Sequence, residues 1–387
     1  MSADLEPASV NAPISSALIV GGGIAGLGAA IALGKRGVAC TVVDKSTEAV
    51  GASIVITHRA VYALEQLGVL DDALAEGNHI PAGEPSWWTH AYDGAGRPLP
   101  VPPPDLPTEG PPSTVFIYRP NLARILRRAA EAHGAEIHLG HSFTSLRDVA
   151  GGVEARLTTG SGGRYDLVVG ADGLNSTVRS LRFPDVEAPQ YTGQMSFRVM
   201  FPDAPASWFK GLHMIKGTTL STNVLPHSLV YLALSKKMER RRVSQVEARE
   251  IVRDTLANFA APMFAEMSER LTEAVPVIVA PFEWIWVPQP WHRGQVVLAG
   301  DAAHATTPTL ASSGSMALED SVVLAEELAG APDLAVGLDR YNARRLARTK
   351  HVVDASVEIM RMHYERRPTS EEAGLRASAI KLLGQPY

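Results

Sequence analysis

The run Gly21-Gly22-Gly23-Ile24-Ala25-Gly26 has the residue types and spacing to cradle a dinucleotide. It follows the short apolar run Ala17-Leu18-Ile19-Val20, which reads as a buried strand, and it opens Ile24–Arg36, which reads as a helix. The next apolar run, Val38–Val43, reads as a second strand and ends on Asp44. That acid stands about 20 residues past the glycines, as a dinucleotide-binding unit requires. Gly21 allows a tight turn, Gly23 lets backbone approach a pyrophosphate, and Gly26 lets the helix pack close to the strand. Unpaired N–H groups at the helix start, those of Ile24 and Ala25 among them, would meet the phosphates, and the helix dipole favours negative charge there. Asp44 can accept from both hydroxyls of an adenosine ribose, with Lys45 beside it.

Two further motifs follow apolar strand patterns. Ala171-Asp172-Gly173-Leu174-Asn175-Ser176-Thr177-Val178-Arg179 comes straight after Val169-Gly170, and Gly300-Asp301-Ala302-Ala303-His304 straight after Leu298-Ala299. Each sets an Asp at the carboxyl end of a strand, where open α/β sheets hold their ligands. A carboxylate in such a place can also simply cap the following helix, worth about 1 kcal/mol.

The elements that must position these motifs are spread along the chain. Gly51–Ile56 reads as extended, and Arg59–Leu70 has helical spacing closed by Gly68. The proline-rich stretch from Pro98 through Pro112 cannot join a helix or a central strand, so it reads as a loop or edge excursion. Helical spacing returns at Asn121–His133. From about Gln190 to Trp286 the runs are β-like, interrupted by a helical piece, Gln245–Phe264. Two long helices, Ser315–Leu328 and Leu334–Tyr364, follow the last strand. The expected architecture is α/β. A discontinuous Rossmann-like dinucleotide-binding domain takes residues 1–80, 113–183 and 287–345. A mainly antiparallel substrate domain, 81–112 and 184–286, is inserted into it, and a C-terminal helical segment takes 346–387.

Bulk properties bound the function. With 387 residues, 45% of them hydrophobic, the chain can bury a large core. A net charge of −5 gives no basic field for nucleic acid or an anionic membrane. The cluster Lys236–Arg242 is the one basic patch, short enough to be a solvated loop or helix end. The single Cys40 excludes an internal disulfide and fits a reducing cytoplasm. Met1–Ile14 contains no Lys or Arg and reads as a loose tail rather than a signal peptide. The uncharged run Asn11–Gly34 is broken by its glycines, so a soluble, cytoplasmic monomer or homodimer is expected. No His/Cys cluster suggests a metal.

With its three motifs in this order, the chain from roughly Ala17 to Tyr364 resembles the single-component FAD-dependent aromatic hydroxylases. These are flavoprotein monooxygenases of the p-hydroxybenzoate hydroxylase fold. The resemblance implies that Gly21, Gly23, Gly26 and Asp44 hold the FAD pyrophosphate and ribose. It places Arg119, in Tyr118-Arg119-Pro120, against the cofactor. Asp172-Gly173, with Ser176 and Arg179, would serve both FAD and passing NAD(P)H. Gly300-Asp301 would bind the ribityl chain, and Pro308 would pack near the reactive edge of the flavin ring. Where the family usually has Gly-Gln-Gly after that proline, this chain has Ala311-Ser312-Ser313-Gly314, and only Gly314 keeps the small, backbone-donating character.

The implied reaction uses NADH or NADPH to reduce FAD. O₂ adds at flavin C4a, and the hydroperoxide passes one oxygen to an electron-rich aromatic or heteroaromatic small molecule. The protein could add a base to deprotonate a phenol. Candidates are His213 and Tyr231, with His227, in the β-rich block, and His58 on the pocket wall. Trp87, Trp88, Phe197 and Met214 could line the pocket, or belong to ordinary core. Other readings of the same motifs are an epoxidase, a geranylgeranyl-type reductase, a halogenase (invited by Trp284-Ile285-Trp286) or a non-enzymatic binding module of the fold.

Overall fold

The computed structural model describes residues 13–84, 90–99, 109–215, 218–288, 290–365, 367 and 369–387. Trp87, Trp88, most of the N-terminal tail, most of the proline-rich excursion and the side chain of Met214 lie outside the described residues. A six-stranded sheet runs in the order His292–Arg293, Val296–Leu298, Leu167–Gly170, Ser16–Val20, Ala39–Asp44, Glu136–Leu139. It is parallel except at its His292–Arg293 edge. Helices cover it, so its inner strands are buried on both sides and read as unbroken apolar runs. From Ser16–Val20 the chain first builds outward through Ala39–Asp44, then returns to Leu167–Gly170 on the other side. That reversal opens a crevice beyond the carboxyl ends of these two strands. The topology alone therefore brings the glycine turn beside the Asp172 loop.

The β-rich block forms a seven-stranded sheet in the order Val277–Trp284, Gln190–Phe201, Leu229–Lys237, Thr218–Leu225, Gly211–Ile215, Ala91–Asp93, Pro98–Leu99. Alternate residues such as Phe197, Val199, Leu232 and Leu234 pack against the helices Gln245–Leu256 and Pro262–Arg270. The intervening residues face the other way. There Met200, Leu212, Leu225 and Leu229 meet Val55, Phe116 and Tyr118 from a small sheet of Ser53–Thr57, Thr114–Tyr118 and Asn78–Ile80. Strand register sets Arg198, Ala233, Ser221 and Leu212 in one row across this face, and Met200, Tyr231 and Asn223 in the next.

Four element boundaries differ from expectation. Arg59–Leu70 is two helices, Arg59–Leu67 and Leu70–Glu76, because Gly68 turns left-handed at φ 78° and ends the first. Gln245–Phe264 also divides, since Pro262 cannot continue a helix but can start one. The boundary at 345–346 falls inside the continuous helix Leu334–Glu365, so no break exists there. The C-terminal segment adds a further helix, Thr369–Leu383. Among the described residues no helix is long and apolar enough to cross a membrane.

Candidate active site

The three glycines of the first turn do different things. A Cβ on Gly21 would lie 2.2 Å from the Ala171 carbonyl oxygen, and one on Gly26 would lie 1.8 Å from that of Gly21. Both are fixed by packing, and Gly21 also stands at φ 113°. Gly23 differs. A Cβ there meets nothing within 4 Å, so the space beside it is open. Gly23 is also the N-cap of helix Ile24–Gly34, with no side chain capping it and no acid in the first turn. The first amides of that helix are thus left for an anion, which is what a pyrophosphate needs. Asp44 sits under this turn, accepting from the Gly22 N–H at 2.6 Å and the Ser46 N–H at 2.7 Å. Lys45 reaches across to the Thr177 hydroxyl at 3.0 Å.

Asp172 caps its helix. It accepts from the Thr177 and Val178 amides at 2.6 and 3.2 Å and from the Ser176 hydroxyl. Arg179 is buried and donates to the Ala302 carbonyl at 2.9 Å and the Leu174 carbonyl at 2.6 Å. It therefore ties the Asp172 loop to the Gly300 motif. Gly300 takes φ 60°, and a Cβ on it would lie 2.8 Å from that of Ala25. This close approach seats the Gly300-Asp301 turn against the first helix. Asp301 opens the short helix Asp301–His304 and accepts from the Ser313 hydroxyl. Arg119 begins helix Arg119–Ala132, exposed, with its side chain laid over Gly51.

Pro308–Leu310 forms a single 3-10 turn, followed by Ala311 at φ 50°, ψ 33°. Ala311 thus adopts the left-handed conformation that a glycine would take without strain. Gly314 packs beneath, where a Cβ would come within 2.7 Å of Ile54. The loop takes this path with one strained alanine.

The imidazole candidates are placed elsewhere. His213 lies among Tyr92, Phe209 and Phe264 on the helix-packed side of the seven-stranded sheet, because strand alternation turns it away from Leu212. Burial pushes its imidazole down to about 4, and its Nε2 pairs with Thr222 at 3.0 Å. His58 is buried at the start of helix Arg59–Leu67, and burial together with the Arg348 guanidinium pushes it down to about 4. His227 is exposed in a hairpin turn. Tyr231 does face the crevice side, but burial raises its phenol to about 12 against the opposing pull of Arg198. It is a proton donor there, not a base. Phe197 belongs to the core on the far face. Trp284 and Trp286 pack beside Leu310, Met316 and Ile359.

Several buried polar atoms on elements bordering the crevice have no hydrogen-bond partner among the described residues: Ser53 Oγ, Thr306 Oγ1, Ser312 Oγ, Arg198 Nε and Asn223 Oδ1. Such groups are normally satisfied, and a ligand in the crevice could complete those that border it. Together with the open cradle at Gly23, they fit a flavin dinucleotide. Asn223 and Phe116 also border a cavity of about 500 Å³, reached past His79 and Lys210. A larger cavity, about 670 Å³ beside Ser15 and Asp166, lies at the opposite end of the strands.

Arg198 and the acid pair Glu319-Asp320 escaped sequence reasoning. Their signals are faint: a charge within the β-run Phe197–Phe201, and two acids inside the apolar run Met316–Ala325. Asp320 is fully buried and accepts from the Gly300 N–H at 2.8 Å, His304 Nε2 at 2.6 Å and Arg345 Nε at 2.7 Å. Burial opposes its charge, yet His304, Arg345 and the Gly300 amide hold it down at about 2.

Comparison with known proteins agrees with this geometry. The family described as FAD binding domain matches residues 15–356. 3-Hydroxybenzoate 6-hydroxylase 1 of Aquipseudomonas alcaligenes is 30% identical over 87% of this chain and 86% of its own. Aurachin C monooxygenase/isomerase of Stigmatella aurantiaca is 28% identical over 88% of both chains. HpxO of Klebsiella pneumoniae, solved with FAD and uric acid, superposes with a TM-score of 0.77 at 21% identity, covering 95% of this chain and 97% of its own. The chain therefore belongs to the FAD-binding-domain family and is an FAD-dependent monooxygenase of the aromatic-hydroxylase fold.

Proposed function

We propose that this monooxygenase uses NADH or NADPH and O₂ to hydroxylate a small aromatic or heteroaromatic ring bearing an acidic or oxo oxygen. The observation that carries the reading is Arg198, whose Nε is buried without a partner on the crevice-facing side of the seven-stranded sheet. Next to it in the row stand Ala233 and Ser221, small residues that leave room for a ring, with Leu212 beyond. Bound FAD, once reduced, supplies the activation of O₂ and the transfer of one oxygen atom. The chain supplies the rest. The Gly23 turn and the first amides of its helix bind the pyrophosphate, Asp44 the ribose, and Gly300-Asp301 the ribityl hydroxyls. Val55, Phe116, Met200 and Leu212 keep water from the ring.

His213 lies on the far face of the sheet and His58 is buried with its basicity lowered, so neither sequence candidate is placed to deprotonate the ring. Arg198 can take that part indirectly: a nearby cation favours the ionised form of a bound phenol or enol and so enriches the ring in electrons. The Tyr231 hydroxyl, kept protonated, donates to a ring oxygen. The names of the relatives hydroxybenzoate hydroxylase and urate hydroxylase both point to acidic rings.

The test is a panel of hydroxybenzoates, hydroxypyridine carboxylates and oxopurines, followed by NAD(P)H oxidation and by the gain of one oxygen in product mass. Arg198→Met should raise KM for the accepted anion about 10- to 100-fold. Turnover of neutral phenols in preference to anions, indifferent to Arg198→Met, would refute the assignment.

A further inference from the structure

We propose that Asp320 is a positioning residue for the flavin site, its buried carboxylate fixing the Gly300 turn and with it the direction in which Asp301 reaches the ribityl chain. The inference rests on FAD binding by this chain and adds a residue that lies outside the three motifs. Helix Ser313–Ala329 brings Asp320 beneath the short helix Asp301–His304. Its Oδ2 takes the Gly300 N–H before that helix and His304 Nε2 at its end, at 2.8 and 2.6 Å. One oxygen thus holds both ends of a single helical turn. Asp301 lies between them, so the backbone that carries its carboxylate is held, and that carboxylate accepts from the Ser313 hydroxyl. The other oxygen, Oδ1, takes Arg345 Nε at 2.7 Å, which keeps the charge in place.

The neighbouring acid shows that the arrangement is specific. Glu319 is equally buried and equally paired, with Arg345 Nη1 at 2.8 Å and Arg348 Nε and Nη2 at 2.8 and 2.9 Å. Among the described residues its bonds run to the helix Leu334–Glu365, not to residues 300–304. Arg348 in turn donates to the carbonyls of Leu382, Leu383 and Gln385, so Glu319 anchors the C-terminal helix. Two adjacent carboxylates of similar burial therefore serve different loads. A buried ion pair is weak evidence of stability by itself, since apolar residues of like volume often do as well. Contact with a motif that binds ligand is what distinguishes Asp320.

The pair supplies its own control. Apoprotein of Asp320→Asn and of Glu319→Gln is titrated with FAD, with flavin fluorescence quenching read in the folded fraction, and thermal unfolding of each apoprotein is recorded. Both substitutions should lower the unfolding midpoint. Only Asp320→Asn should weaken FAD, about 10- to 100-fold, while Glu319→Gln stays within about threefold of the unsubstituted chain. An unchanged Kd in folded Asp320→Asn, or an equal loss in Glu319→Gln, would overturn the proposal. A second arm needs no substitution. In the unsubstituted apoprotein the Gly300 amide should exchange with deuterium as slowly as those of the strand Val296–Leu298, before any FAD is added. Fast exchange there overturns the proposal even if Asp320→Asn does not fold. Failure of the unsubstituted protein to bind FAD would instead strike the cofactor assignment itself.

Discussion

Alanine at Gly23 should separate folding from cofactor binding, because the three glycines of the turn fail for different reasons. At Gly23 the backbone stands at φ −83°, ψ −169°, which any residue adopts, and an added methyl meets nothing within 4 Å. Restricting the unfolded chain stabilises by about 0.4–1 kcal/mol. The poorer N-cap character of alanine costs a similar amount. Apoprotein stability should therefore stay within about 0.5 kcal/mol of the original. On the proposed reading the methyl would, however, stand where the pyrophosphate comes closest, and losing one charged hydrogen bond costs about 1.5–3 kcal/mol, or 10- to 100-fold in Kd. Gly21→Ala and Gly26→Ala drive a Cβ to 2.2 and 1.8 Å from carbonyl oxygens. Each should cost about 2–5 kcal/mol of folding stability through strain and overpacking. Urea unfolding of the apoproteins and FAD titration measure both quantities. Gly23→Ala protein that binds FAD as tightly as the original would refute the cradle, and the same substitution unfolding the apoprotein would refute the claim of open space.

Other outcomes follow from the same geometry. Asp301→Ala should weaken FAD about 10- to 100-fold in a folded protein, read by the same titration. Exchanging Ala311-Ser312-Ser313 for Gly-Gln-Gly relieves the left-handed alanine at φ 50°, and it should change the rate of anaerobic flavin reduction more than FAD affinity, as stopped-flow absorbance would show. Arg376 donates to the Thr309 carbonyl at 2.8 Å and braces the Pro308 turn from the C-terminal helix. Arg376→Ala should therefore raise the fraction of NAD(P)H oxidation that ends in H₂O₂ rather than product. His213 and His58 both titrate near 4 when folded against 6.5 when unfolded. The unfolded chain thus takes up more protons between those values: stability is complete above pH 6.5 and falls as pH drops toward 4. His213→Phe should flatten part of that slope in urea midpoints measured across the window.

Local pattern in the chain carries much of the fold. Unbroken apolar runs of the buried strands, glycines at fixed spacing and acids at strand ends are all written within short windows, and they specify the parallel sheet and its ligand edge. The same windows left both readings of Asp172 open, and only the folded chain shows its oxygens spent on the Thr177 and Val178 amides. Periodicity marks two faces on a strand but not which of them meets the crevice. His213 and Leu212 are adjacent in sequence, and the helices Gln245–Leu256 and Pro262–Arg270, packed from one side, decided that His213 is core. The charges of Asp320 and Arg345 could be placed only in three dimensions. A buried carboxylate is tolerable when donors converge on it, and here they come from Gly300, His304 and Arg345, which stand 20, 16 and 25 residues from Asp320 along the chain. Pattern within an element is encoded locally, whereas the partner that makes a charge affordable belongs to the packing of distant elements.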